Sequence, residues 1–317
     1  MKDIFIKDIT GGCTGTTDFM VTGFSEKLTK SNKKYFDLVL TDNSGSVPAK
    51  IWNVIPNTPR LVVGDFVRVT YSAEMYQNSL QISITSFNRL DPSTVNLDDF
   101  CPVTKYSIEK MWSLMINMLN GVQNPWLTAL IDSIIREDDF KEQFCRHSAA
   151  TKIHHAYKGG LLQHTLFVMR CGHSLAKIYE LDSDLVVTCA FLHDIGKLIE
   201  LSAFPKNDYT VEGQLVGHVV LSTMYVSEKI NAIDGFPDEL KQNVLHCIVS
   251  HHGKLEYGSP KVPSIKEALI LHFADSIDSR IEIAQEDLES NSGSYNKYLE
   301  TYVMPTTRPS GGEIDGV

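Results

Sequence analysis

No stretch of this 317-residue chain holds the eighteen or so uninterrupted apolar residues of a membrane span, so no transmembrane helix is expected. The opening "MKDIFIKDIT" is broken by Asp3 and Asp8 and has no apolar core of a secretory leader, so a cytoplasmic protein is expected. Cysteine is sparse, at positions 13, 101, 145, 171, 189 and 247, and never forms Cys-x-x-Cys. That density excludes a disulfide scaffold and leaves reduced, structural thiols as the expectation. Positive charge is scarce as well. The net charge of −10 rules out nucleic-acid binding by bulk electrostatics, so any such affinity must come from local patches or bound cations. Histidine is missing from the first 146 residues, and all eleven lie between His147 and His272. Chemistry is therefore expected in the second part of the chain.

Length allows two domains, each able to bury a core, and 43% hydrophobic with 21% charged residues suits an ordinary globular chain. From about Asp18 to Asn88 the text reads as five short strands: "DFMVTGFSEKLT", "KYFDLVLTD", "SVPAKIWN", "DFVRVTYSAEMY" and "SLQISITSF". Turn-formers such as "SNKK", "DNSG" and "QNS" separate them. Five strands with "IPNTPRLVVGD" between the third and fourth match an OB-fold barrel, whereas an immunoglobulin-like sandwich needs about seven. This domain is assigned to residues 1–90, where ten Lys/Arg face eight Asp/Glu; the rest of the chain carries nineteen against thirty-one. Such barrels bind single strands by stacking bases on aromatics along a basic groove. Tyr35, Trp52, Lys50 and Arg68 are the candidates here. Strand alternation turns Phe36, Leu38 and Leu40 inward and Tyr35, Asp37 and Val39 outward.

Residues 91–104, with two prolines and three acids, read as a linker. Beyond them apolar residues recur at three-to-four spacing, which predicts an all-α bundle over 105–292, with Pro125 opening a helix after Asn124. Residues 293–317 form a tail expected to be partly disordered.

Five helical segments carry the histidines and acids: "HHAYKGGLLQHT", "FLHDIGK", "GQLVGHVVLS", "IVSHHGKLEYGSP" and "LHFADSIDSR". Helix bundles build metal sites from such inward-pointing side chains, and mixed imidazole and carboxylate donors suit Mn, Fe, Co, Ni or Zn. The doublet His193–Asp194 would point two ways on a regular helix; at a helix end, with Gly196 relaxing the backbone, both side chains can converge. A carboxylate can bridge two cations and an imidazole cannot, so Asp194 is the natural bridge of a two-metal site.

The series H…HD…D resembles the HD superfamily of metal-dependent phosphohydrolases. On that likeness His164, His193, Asp194 and Asp275 match the four-ligand signature, and His218, His251 and His252 match the further ligands of its binuclear branches. An OB barrel joined to an HD domain bearing "HHAYKGGLLQHT" is similar to the YhaM-type 3′-to-5′ exoribonucleases, over about residues 15–290. The resemblance implies two divalent cations per chain, Mn²⁺ first among Co²⁺, Fe²⁺, Ni²⁺ and Mg²⁺. Its implied substrate is single-stranded RNA, with single-stranded DNA also admissible, cut to nucleoside 5′-monophosphates. His155 and Lys197 are assigned to catalysis beside Asp194, and His154 and Lys197 to phosphate contact, while Asp278 and His272 flank Asp275 as orienters. A homo-oligomer is compatible with this reading, and a membrane partner is not. Two alternatives stand beside it. One is a phosphodiesterase of small nucleotides or cyclic dinucleotides, although "HHGKLEYGSP" departs from the HD-GYP signature; the other is a non-catalytic RNA-binding module, which would not need a complete ligand set.

Overall fold

The β-branched and aromatic text between residues 14 and 89 folds as predicted, into five strands whose alternation buries one face. These are β1 (Thr14–Leu28), β2 (Lys34–Asp42), β3 (Gly45–Ile51), β4 (Phe66–Tyr76) and β5 (Ser79–Arg89). The computed structural model describes residues 2–29, 31–56, 58–76, 79–151, 155–204, 206–289, 293 and 295–306. His154 and tail residues 307–317 therefore lie outside the described residues. The chain divides into two units, Met1–Val103 and Thr104–Val317.

In the first unit the strands close in the order β1-β2-β3-β5-β4. Long β1 pairs with β4 through its first half and with β2 through its second, and a short parallel contact, Ala49 to Ile82 and Lys50 to Ser83, closes the circle. This is the OB-fold barrel. Phe36, Leu38 and Leu40 point into the core and Val39 is exposed, as alternation requires. Residues 91–103 are not the linker their composition suggests. Asp91 and Asn96 cap two 3-10 turns, and Phe100 packs edge-on against Phe66 beside Met20, which joins the segment to the barrel.

One end of the barrel is pinned by a buried ion pair. Lys2 Nζ lies 2.7 Å from Asp42 Oδ2, and both side chains are almost fully buried. Asp42 also accepts from the Ile6 amide and from the amide and hydroxyl of Ser44. Burial pulls the Lys2 ammonium below its usual pKa, and Asp42 opposes that.

The second unit contains α1 (Ile108–Asn120), α2 (Pro125–Ile135), α3 (Phe140–Arg146), α4 (Gly160–Ile178), α5 (Ser183–Leu192), α6 (Lys197–Glu200), α7 (Val211–Val216), α8 (His218–Asn231), α9 (Asp238–Ser250) and α10 (Lys266–Glu289). Asn124 caps α2 ahead of Pro125, as expected. Asp139, with a φ of 62°, interrupts the hydrogen-bond ladder and separates α2 from α3. Within the stretch called a tail, β6 (Tyr295–Asn296) and β7 (Thr301–Tyr302) form a small hairpin.

Helix α5 organises the bundle. Every residue from Leu185 to Leu192 is buried, the state expected of a helix that is apolar all round. It packs among Leu161, Leu162 and Leu166 of α4, Val244 and Ile248 of α9, and Leu271 of α10. Each such side chain contributes roughly 1.5–3 kcal/mol by leaving water. Because α5 runs through the middle, its C-terminus delivers residues 193 and 194 to the centre of the unit. No described helix is long and apolar enough to cross a membrane.

Replacing Asp42 by Ala should destabilise the barrel by about 3–5 kcal/mol, because it strands a buried ammonium. A denaturant titration followed by Trp52 fluorescence, with an unmoved midpoint, would show that Lys2 escapes to water instead.

Candidate metal centre and nucleic-acid interface

Two helix ends use one local device. The last carbonyls of a helix have no intrahelical donor. His193, after α5, donates its Nδ1–H to the Ala190 carbonyl at 2.8 Å, and His251, after α9, donates its own to Ile248 at 2.7 Å. Each ring is thereby fixed with Nδ1 as its donor and Nε2 aimed inward. The remaining rings are braced in the same sense. His252 Nδ1 donates to the Tyr257 carbonyl, His218 Nδ1 to Glu200 Oε1 at 3.1 Å, and His164 Nδ1 to Asp278 Oδ2 at 2.7 Å. An acceptor behind a ring nitrogen is the usual setting of a metal-binding histidine.

The Nε2 atoms meet in two groups. His164 Nε2 lies 3.2 Å from His193 Nε2 and 3.3 Å from Asp275 Oδ1. His218 Nε2 lies 3.2 Å from His252 Nε2, with His251 completing that set. Two ring nitrogens at this spacing need a proton or a metal cation between them. Bonds of about 2.0–2.1 Å to a common ion give ligand separations of this order.

Asp194 stands between the groups. Its Oδ2 lies 3.4 Å from His164 and from His193, while Oδ1 lies 3.5 Å from His218 and 3.7 Å from His251. Lys197 Nζ touches Oδ2 at 2.6 Å, yet Oδ1 is buried with no hydrogen-bond partner. An orphaned carboxylate oxygen facing imidazole lone pairs fits a divalent cation. Electrostatics agree. Burial would raise the Asp194 carboxyl, but Lys197 and His193 hold it well below the usual range. Burial and His252 press His251 well below its ordinary value, so its lone pair is on offer. Burial opposes charge on His164, but Asp194, Asp275 and Asp278 outweigh it and hold that ring well above its ordinary value. The carboxylates call for positive charge at this point.

Gly196 serves a different purpose from the one its position suggested. Its φ is −64°, an ordinary helical value, so no backbone relaxation is involved. A Cβ there would lie 2.5 Å from the His218 carbonyl oxygen and 2.5 Å from the Ser222 amide. Glycine lets α8 close onto the doublet and bring His218 in.

His155 was expected at the substrate; the structure puts it behind the ligands. It is fully buried, with Nε2 2.8 Å from Asp278 Oδ2 and Nδ1 2.9 Å from the Tyr157 hydroxyl, which donates onward to Glu282 at 2.7 Å. Glu282, Tyr157, His155 and Asp278 thus form one polar chain ending on the back of His164. The paired glycines of "HHAYKGGLLQHT" follow from it. Gly159 takes a φ of 81°, and a Cβ on Gly160 would sit 2.0 Å from the His155 carbonyl oxygen. Sequence reasoning missed Tyr157, Glu200 and Glu282, since each acts through another side chain and none carries a ligand's spacing. Asp278 and His272 do flank the site as anticipated, the latter donating to the His251 carbonyl at 2.8 Å. His147, His173 and His246 are tied to Leu201, Ser183 and Ser264, away from the centre.

In the barrel, Tyr35 and Trp52 stack with ring centroids 4.9 Å apart. Lys50 Nζ lies 5.0 Å from the Trp52 ring and 5.8 Å from those of Tyr35 and Tyr76. Beside them a 730 Å³ cavity is lined by Lys33, Lys34, Arg60 and Trp52. Three of the four barrel candidates are thus brought together. Arg68 is not among them: it is engaged bidentately by Asp18 at 2.7 and 2.9 Å, its cross-strand partner. Tyr71, on β4, is a core residue.

A helical bundle that aims imidazoles and carboxylates at one centre defines a metal-dependent hydrolase of the HD type, and the HD domain family model matches residues 161–280. The 3′-5′ exoribonuclease YhaM of Geobacillus sp. (strain WCH70) is 30% identical over 273 residues, covering 85% of this chain and 83% of that protein. YhaM of Shouchella clausii (strain KSM-K16) is 32% identical over 270 residues, covering 84% and 83%. The chain belongs to this family, the YhaM 3′-5′ exoribonucleases. Among solved structures, the second OB-fold domain of replication protein A from Methanococcus maripaludis matches 29% of this chain and 98% of its own, at 22% identity and a TM-score of 0.24.

Removing the Tyr157 hydroxyl with Tyr157→Phe should weaken metal binding at His164 by about 10–100-fold, the usual effect of losing an outer partner. Calorimetric Mn²⁺ titration reads this directly; unchanged affinity would make the chain from Glu282 a packing feature only.

Proposed function

We propose that the protein removes nucleotides one at a time from the 3′ end of single-stranded RNA and releases nucleoside 5′-monophosphates. One observation carries the binuclear form of this reading: the two oxygens of Asp194 face two different histidine sets. His164, His193, Asp194 and Asp275 would hold one divalent cation, and His218, His251, His252 and Asp194 a second; such mixed donors admit first-row ions, of which Mn²⁺ is the one proposed. When bound, these cations supply an activated water at neutral pH and neutralise the phosphate.

The chain's own residues do the rest. Backbone carbonyls hold the Nδ1 protons of His193 and His251, which leaves the Nε2 of each ring to face the centre. Lys197 keeps Asp194 ionised and lines the same cleft, so its ammonium can turn to a phosphate oxygen. The acidic bulk of the chain is no obstacle, because bound cations and Lys197 would meet the phosphates at the centre and Lys50 at the barrel platform. Tyr35, Trp52 and Lys50 would hold the strand by stacking and by cation–π contact, which discriminates little among bases and suits an enzyme that must pass every sequence.

Digestion of 5′-labelled single-stranded RNA with Mn²⁺ should give a ladder shortening from the 3′ end, and EDTA should stop it; internal cuts would point to an endonuclease. Asp194→Asn should lower the rate by more than the roughly 100-fold that an outer partner costs, since it removes the charge shared by both sites. Metal analysis should find one ion fewer in His218→Ala and in His251→Ala, and an unchanged count would make the centre mononuclear. Trp52→Ala should weaken binding of a single strand about 5- to 150-fold without changing the metal count.

A further inference from the structure

The metal ligands form one end of a 520 Å³ cleft, and the other end is lined by residues the proposed chemistry does not use. Most of these lie along α10 after Asp275: Ser276, Ser279, Arg280 and Ile283. The hairpin that follows α10 contributes Tyr298, which is 63% exposed. Its turn is fixed by Asn296, whose Oδ1 accepts from the amides of Tyr298 and Leu299 at 3.0 Å each.

Two cations line this cleft, and they differ in availability. Lys197 is held by Asp194, whereas Arg280 is exposed and forms no ion pair among the described residues. Five residues of helix separate Arg280 from Asp275, a rise of about 7.5 Å. Arg280 thus lines the same cleft as Asp275, farther along the helix, and the fork of its guanidinium suits a phosphodiester oxygen pair. An exposed tyrosine face beside it offers a stacking surface to any base.

We infer that Arg280 and Tyr298 form a subsite for the penultimate nucleotide of a single strand, Arg280 taking its 5′-phosphate and Tyr298 its base. This rests on the 3′-end reading above. The subsite gives the enzyme a hold on the chain that remains after each cut, next to the bond that will be cut in the following turnover.

The test replaces the phosphodiester one step inward from the scissile bond by a neutral methylphosphonate, and measures single-turnover release of the first nucleotide with Mn²⁺. The neutral linkage should slow the wild type roughly 10- to 100-fold, the range for a lost charged hydrogen bond. Arg280→Ala should be slow on the unmodified strand and indifferent to the neutral linkage, and Arg280→Lys should recover part of the sensitivity. An abasic penultimate nucleotide should likewise slow the wild type and Tyr298→Phe roughly fivefold or more, and leave Tyr298→Ala indifferent. Equal sensitivity in wild type and Arg280→Ala overturns the subsite, as does a wild type that ignores the neutral linkage, an outcome needing no variant to fold. A wild type that releases nothing from the 3′ end sinks the exonuclease reading itself, which is a separate and recognisable result.

Discussion

A carboxylate buried among four imidazoles is the constraint to which the helical unit answers. Asp194 cannot be neutralised by water, because it is almost wholly buried, and its one ammonium partner touches only one oxygen. To place that group at the centre, α5 must run through the bundle and be apolar on every side, which its text from Leu185 to Leu192 supplies. To bring His218 against the other oxygen, α8 must approach so closely that residue 196 can carry no side chain. Packing and chemistry are therefore one problem here: the same residues that build the core decide where the charge lies.

Around Asp194 the polar groups fall into two kinds. Some aim a lone pair at the centre; others fix the direction of that aim. Backbone carbonyls at the ends of α5 and α9 do the second task for His193 and His251, and side chains do it for His164 and His218. Carbonyls at helix ends are available at no sequence cost, which explains why two of the centre's histidines sit immediately after helices. Carboxylate braces have to be encoded, and Asp278 and Glu200 are such residues. The chain from Glu282 through Tyr157 and His155 extends one brace across the unit, and it turns a string of histidine, tyrosine and glycine into the backing of His164.

The barrel faces a different physical task. Its platform of Tyr35, Trp52 and Lys50 presents ring faces and one positive charge on an almost neutral unit, which favours stacking over long-range attraction. A cation placed above rings keeps its charge available, whereas Arg68, opposite Asp18 on the neighbouring strand, has its charge matched within the sheet.

Much was legible in the residues alone. Strand alternation, turn text and strand count determined the barrel and the inward set Phe36, Leu38 and Leu40, because a period of two has only one solution when one face is buried. The clustering of histidine and the doublet at the end of an apolar run pointed to the place where the structure gathers imidazoles and carboxylates. The sequence could not show what depends on approach between segments distant along the chain. Gly196 owes its identity to α8, not to its own backbone; His155 stands behind a ligand because α10 places Asp278 between them; Phe100 belongs to the barrel because Phe66 gives it a face to pack on. Arg68 looked like a free cation until pairing of β1 with β4 set Asp18 beside it. Local periodicity records which side of an element is buried, but not what it is buried against, and it was the tertiary structure that decided every residue whose role depends on its neighbour.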